Sequence, residues 1–218
     1  LAWKLDNYPS ISHGVFKKSN IPQSDHEKML YIMGNSMGDK LIKLGLNRDE
    51  IQMVLQGLYD KGLLKETPSY AKDFQIEAQK FAREKIKKKS MAKKREGENY
   101  MTEFIKSGGT KTSSGLAYKI LKVGQGKKPG PESEVEVHYS GSLIDGTIFD
   151  SSIKRRHKAT FSLNRVIKCW TEGIQLIGAE GKIKLVCPSD LAYGDHGAPP
   201  RIPGGATLTF EIELFSVK

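Results

Sequence analysis

Residues 134–152 read EVEVHYSGSLIDGTIFDSS, an alternating run that enters a turn and leaves it again. Val135, Val137 and Tyr139 alternate with Glu134, Glu136 and His138, the pattern of a strand whose successive side chains face opposite sides of a half-buried sheet. Asp145-Gly146, set between Leu143-Ile144 and Thr147-Ile148-Phe149, is a strong hairpin signal, because glycine accepts the positive φ of tight turns. Working outward, Leu116, Tyr118 and Ile120 alternate with Ala117, Lys119 and Leu121, while Leu208, Phe210, Ile212 and Leu214 alternate with Thr207, Thr209, Glu211 and Glu213. Thr160–Leu163 and Lys182–Val186 fit further strands, and one short helix fits around Cys169–Leu176. Residues 110–218 are therefore predicted to form an α+β domain, a half-wrapped antiparallel sheet closed by one short helix.

Upstream of Ser107-Gly108-Gly109 the period becomes helical. Ser24 and Glu27 have capping-box spacing, Met29, Met33, Met37 and Leu41 recur every fourth residue with Leu30 on the same side, and Gly45 ends the pattern near Leu44. Asn47 and Glu50 open a second helix with a stripe of Ile51, Val54, Leu55 and Leu58, ended at Gly62. Gly34 and Gly38, each costly inside a helix, predict close approach of another backbone. Two short helices without cysteine share too little core to fold alone, so residues 23–68 are predicted to be an all-helical dimerisation domain, the alternative being that the helix pair packs onto the rest of its own chain. Its methionines also leave a client-binding surface open.

From Ser69 to about Lys106 no proline interrupts a helix-forming composition, predicting a long connecting helix within 69–109. Apolar stripes lie at Phe74, Ala78, Phe81 and Ala82 and at Tyr100, Met101, Phe104 and Ile105, whereas only Met91 and Ala92 are apolar between Lys87 and Asn99. A helix polar all round is typically solvent-bridging, so the middle is expected to be an exposed stalk with Gly97 as a weak point. Residues 1–22, punctuated by Pro9, Gly14 and Pro22, read as an irregular tail.

The 218 residues carry a net charge of +10, and the cations concentrate between Arg83 and Arg95, where eight basic residues face Glu84 alone. No aromatic residues interleave with them, so a solvated helical face is expected, nucleic-acid binding is disfavoured, and contact with an anionic membrane surface or other polyanion stays open. No apolar run approaches the ~20 residues of a membrane span, and no signal peptide is expected within the sequence, which leaves a removed leader or a lipid anchor open. Cys169 and Cys187 lack metal-site and redox-motif spacing and are expected to be buried structural thiols, with one bridge between them geometrically open. No Walker loop, nucleophile elbow or metal-ligand cluster occurs, and His138, His157 and His196 have no paired spacing, so covalent or metal catalysis is not expected and no cofactor is.

The segments VHYSG (137–141), DGTIFDSS (145–152), VIKCW (166–170), LAYG (191–194) and IPGGATLTFEIEL (202–214) together resemble the FKBP-type peptidyl-prolyl isomerase domain over residues 110–218. The helical architecture ahead of them is similar to the macrophage infectivity potentiator and FkpA group of bacterial proteins. The resemblance implies an isomerase of X-Pro bonds in proline-containing polypeptide clients, binding of macrolide inhibitors such as rapamycin, and no cofactor. It also implies a homodimer with a chaperone contribution and a virulence role, in the bacterial periplasm, on the outer membrane or secreted. A holdase that mainly binds, or an adaptor acting through the basic stalk, is the competing reading.

Carried over by position, the resemblance implies a proline pocket with Trp170 as floor and Tyr139, Phe149 and Phe210 as walls. Phe161, Val166 and Ile202 complete it, Ile167 offers a backbone N–H, Tyr193 donates its hydroxyl, and Asp150 faces the reacting amide and orders Tyr139. Cys169, Ala159 and Ala198 depart from the family pattern, which frequently has Gly, an aromatic and His there; the loss of bulk is expected to open the rim.

Overall fold

The structure, a computed structural model, describes residues 22–218, so the expected tail lies outside the described residues except for Pro22. The chain divides into two compact units, one ending at Lys80 and one running from Phe81 to Lys218.

In the first unit, α1 (Asp25–Leu44) and α2 (Arg48–Tyr59) are each opened by a reciprocal capping box. The Glu27 N–H donates to Ser24 Oγ at 3.2 Å while the Ser24 N–H donates to the Glu27 carboxylate at 2.9 Å. Asn47 and Glu50 repeat the exchange at 2.9 and 2.8 Å. Gly45 closes α1 with φ 63°. Gly62 does not end the second helix as expected; α2 passes into a π-helical turn, Asp60–Leu64, and Lys65 takes the left-handed terminal position at φ 58°. None of the described side chains from Pro22 to Lys80 is buried, and Met29, Met33 and Met37 are more than half exposed. Among the described residues, nothing beyond the neighbouring backbone of α1 itself lies within 4 Å of where a Cβ on Gly34 or Gly38 would be.

The long helix, α3 (Gln75–Lys106), begins later than expected. Ser69–Ala71 forms a separate 3-10 turn, and the Tyr70 carbonyl accepts from both Asp73 and Phe74 N–H, with the Tyr70 and Phe74 rings edge to face at 6.0 Å.

In the second unit, seven antiparallel strands form one sheet: β1 (Thr110–Lys111), β2 (Ala117–Lys122), β3 (Glu134–Leu143), β4 (Ile148–Ser151), β5 (Ala159–Ser162), β6 (Lys182–Cys187) and β7 (Leu208–Val217). Their order is β1-β2-β6-β7-β3-β4, with β5 also pairing β3. β3 alternates buried with half-buried residues as its sequence predicts, and the Asp145 side chain accepts the Thr147 N–H at 2.8 Å inside the turn. One face packs on α5 (Lys168–Ile174) through Val137, Trp170, Ile174, Leu185, Leu208 and Ile212. A second, very short helix, α4 (Ser152–Arg155), adds to the single one expected.

Cys169 and Cys187 are buried but are not thiols; they are joined in a disulfide, Cα to Cα 5.7 Å, that ties α5 to the end of β6.

The middle of α3 is not an exposed stalk. Ser90 and Gly97 are buried, and Met101 and Phe104 form a second small core with Ala117 and Val186. Ser90, Lys94, Gly97, Met101 and Phe104 recur at spacings of four, three, four and three, a helix-packing seam whose first three members are small or charged and so escape a hydrophobicity reading. Nor is Gly97 a weak point: a Cβ there would lie 1.9 Å from Thr207 Oγ1, so glycine is what lets the helix reach the start of β7. Gly97→Ala would stabilise an exposed helix by about 1 kcal/mol. Here overpacking against Thr207 is expected to destabilise the unit by about 1–3 kcal/mol, read by denaturant unfolding. A stabilised variant would restore the exposed-stalk picture.

Candidate active site

A cavity of about 630 Å³ lies between the sheet and α5. Its floor is Trp170, on the first turn of α5 and 4% exposed, with its backbone N–H donated to the Ile167 carbonyl at 2.9 Å. Four other rings build the walls edge to face. Tyr139 and Phe161 meet Trp170 at 5.0 and 5.3 Å, Phe210 meets it at 5.3 Å, and Phe149 meets Phe210 at 5.7 Å. This geometry sets positive ring edges against negative faces, adding about 0.5–1.5 kcal/mol per pair to simple burial and fixing each ring plane.

Strand register explains the cage. Gly141 pairs with Asp150 on β4 and with Phe210 on β7. A Cβ on Gly141 would come 2.7 Å from Phe210 and 2.8 Å from Phe149, so the two rings converge over a position that only glycine leaves open. Tyr139, two residues earlier, faces the same side by the period of the strand.

One polar cluster interrupts this apolar wall. The Tyr139 hydroxyl donates to Asp150 Oδ2, Arg155 Nη1 donates to Asp150 Oδ1, and Arg155 Nη2 donates to the Tyr139 oxygen at 2.9 Å. Arg155 reaches back because Ser151 caps α4, its Oγ accepting the Lys154 N–H at 3.3 Å, and Arg156 ends the turn in a left-handed conformation. Burial pushes the Asp150 carboxyl up, but the Tyr139 hydroxyl and the Arg155 guanidinium outweigh it and the net shift is down. Burial and the Asp150 carboxylate raise the Tyr139 hydroxyl. At neutral pH the cluster is thus a carboxylate, a neutral phenol and a guanidinium, held rigidly and with no proton poised to leave.

Of the ten site residues named from the sequence, nine line the cavity: Tyr139, Phe149, Asp150, Phe161, Val166, Ile167, Trp170, Tyr193 and Phe210. Ile202 does not; it is 5% exposed in the core and forms a two-way backbone bridge with Ala198. Ala159 and Ala198 are also outside the lining, and Cys169 is consumed by the disulfide. The lining further includes Arg165, Lys168, Asp190 and Ala192. Sequence reasoning missed these, and it missed Arg155. Arg155 sits among Lys154, Arg156 and Lys158, and only the cap at Ser151 selects it.

The arrangement can hold a compact apolar side chain against Trp170 and exclude water from the bond beside it. Residues 125–215 match the family model of FKBP-type peptidyl-prolyl cis-trans isomerases, and residues 26–120 match that of the domain amino-terminal to them. The chain is 39% identical to the FKBP-type peptidyl-prolyl cis-trans isomerase FkpA of Aeromonas hydrophila over 97% of this chain and 85% of that protein. It is 37% identical to FkpA of Escherichia coli K12 over 90% and 77%. The crystal structure of Escherichia coli FkpA superposes with a TM-score of 0.65 at 35% identity, covering 90% of this chain and 98% of that one. A peptidyl-prolyl isomerase from Pseudomonas syringae covers 59% of this chain and 96% of its own with a TM-score of 0.55 at 38% identity.

Proposed function

The chain belongs to the FKBP-type peptidyl-prolyl cis-trans isomerase family and is an isomerase of that type, and from this we propose that the cavity over Trp170 is where the X-Pro bond turns. The observation that carries the assignment is the cage of five rings with one charged cluster at its edge.

Amide rotation faces a barrier of ~18–20 kcal/mol because the planar form is resonance-stabilised, and X-Pro is the bond whose cis state is low enough to be populated. At the twisted transition state the resonance is lost and charge separation falls, so a dry aromatic cavity favours it over the planar amide. The prolyl ring sits on Trp170 between Tyr139, Phe149 and Phe210, with Phe161, Val166 and Ile167 closing the sides. Asp150 faces the amide and orders Tyr139, the Ile167 N–H holds the following carbonyl, and Tyr193 donates its hydroxyl to a flanking one; that hydroxyl has no partner among the described residues. No proton is transferred: Asp150 stays a carboxylate and Tyr139 a neutral phenol within their shared cluster. Macrolides such as rapamycin, ligands of the family, would compete for the same space.

The Trp170 indole N–H is buried with no hydrogen-bond partner among the described residues, which makes it a local reporter. Titration with a short prolyl peptide is expected to shift its NMR resonance and rapamycin to reverse the peptide's effect. A peptide turned over without any shift at Trp170 would place the chemistry elsewhere.

Residues 23–68 are read as the dimerisation module and 69–109 as the connecting helix. Supporting the dimer are the exposed Met29, Leu30, Ile32, Met33 and Met37, since helices that bury nothing of their own need a second chain to cover them. Light scattering on the full chain is expected to give twice 24.3 kDa, and a monomeric mass would remove this part of the reading. The same adaptable surface supports a chaperone contribution. The buried Cys169–Cys187 bridge favours an oxidising compartment, the periplasm or the cell exterior. Membrane or polyanion contact through the basic run is weakened because Lys93 pairs with Glu96 and Lys94 with Asp190 and Asp195.

A further inference from the structure

We propose that Ser90 and Lys94, on the middle of α3, are positioning residues for the isomerisation: they clamp the loop that carries Tyr193 to the cavity, which makes this stretch of the helix part of the catalytic unit. The inference rests on reading the cavity as the prolyl site.

The loop between β6 and β7 holds two 3-10 turns, Ser189–Leu191 and Gly194–His196, and Tyr193 stands between them, 42% exposed at the cavity rim. Leu191 and Ala192 pack against the core, and α3 adds polar contacts on both sides of Tyr193. Lys94 Nζ donates to Asp190 Oδ1 at 2.8 Å and reaches Asp195 Oδ1 at 2.9 Å, so one ammonium grips the chain on both sides of Tyr193. Ser90, 1% exposed, donates its hydroxyl to the same Asp195 oxygen at 2.6 Å.

The return leg of the loop is seated on the helix too. A Cβ on Gly205 would lie 2.3 Å from the Ser90 carbonyl, and the Gly205 N–H donates to the Gly194 carbonyl at 2.9 Å, linking that seat to the turn beside Tyr193. The charges agree with a formed clamp: hydrogen bonds to the two aspartates raise the Lys94 ammonium, and those from Ser90 and Lys94 lower the Asp195 carboxyl.

Asp190 also lines the cavity. Without Lys94 its carboxylate would stand uncompensated at a site that gains from low polarity, while Tyr193 would sample other positions. Both changes weaken capture of the peptide; neither touches the rings and the Asp150 cluster that act on the twisting bond. A KM effect without a kcat effect is the consequence.

The test is steady-state isomerisation of a prolyl tetrapeptide by the full chain carrying Ser90→Ala, Lys94→Met or both, with Lys94→Arg as the conservative variant. Exposed ion pairs contribute modestly, so KM is expected to rise roughly threefold in each single variant and about tenfold in the double, with kcat nearly unchanged and Lys94→Arg close to wild type. Amide hydrogen exchange over residues 189–197 should accelerate in Lys94→Met while the sheet stays protected. Wild-type KM in the double variant, or acceleration spread over the whole sheet, would overturn the clamp. Asp150→Ala is run in parallel: if it too is fully active, the assignment of the cavity fails; if it is impaired while Lys94→Met is normal, only the clamp does.

Discussion

Replacing Asp150 with Ala is expected to lower kcat/KM on a prolyl peptide by about 10- to 100-fold, a loss of roughly 1.4–2.8 kcal/mol of transition-state stabilisation. The fold should survive, because the Asp150 side chain is 36% exposed and its bonds run to Tyr139 and to the half-exposed Arg155 rather than into the core. What is lost is the orientation of two groups at once. Tyr139 would keep its ring against Trp170 but lose the acceptor of its hydroxyl, and Arg155 would be free to turn to solvent. Tyr139→Phe keeps the ring and the carboxylate and should cost less than Asp150→Ala, and Arg155→Met less again.

The pH dependence follows from the same cluster. The net downward shift means that the Asp150 carboxylate is favoured in the folded protein, so the ion pair is intact above the ordinary carboxylate value of 3.8 and is lost as pH falls through the still lower folded value. Activity is therefore expected to stay flat between about pH 5 and 8, the range in which an unperturbed histidine would titrate. An Asp150→Ala enzyme with wild-type kinetics, or a sharp rise or fall near pH 6.5, would remove the carboxylate from the mechanism.

The sheet was legible because its signals are local: alternation in Glu134–Tyr139, the Asp145-Gly146 turn and the paired pattern of Thr207–Leu214 each determine their own conformation. The cage was legible only through resemblance, since nothing in the spacing of Tyr139, Phe161, Trp170 and Phe210 says that their edges meet. What escaped was long-range and polar. Ser90 and Gly97 pack by being small, a property that reads as solvent-facing when helix faces are judged by apolarity. Lys94 looks like one more cation in a run of eight until Asp190 and Asp195, about a hundred residues later, arrive beside it. Ile202, placed at the cavity by its position in a family motif, lies in the same core cluster as Tyr139, Trp170 and Phe210 and bridges to Ala198, outside the cavity lining itself.

Replacing both Cys169 and Cys187 with Ala is expected to destabilise the second unit by about 3 kcal/mol, the chain-entropy value for a closed loop near the 18-residue separation of this pair. The effect should appear as an earlier unfolding midpoint, and dithiothreitol on the wild type should reproduce it. The bridge matters beyond its entropy because of where its ends lie. Cys169 precedes the floor residue Trp170, and Cys187 ends β6 directly before the loop that carries Asp190 and Tyr193. One covalent link thus joins the two halves of the cavity wall that no strand pairing connects. Catalysis at 25 °C should nevertheless largely persist in the double alanine variant, because Ile174, Leu185, Leu208 and Ile212 still bury α5 against the sheet. Unchanged stability in that variant, and in the wild type under reductant, would mean that the bridge contributes nothing. The argument for an oxidising compartment would go with it.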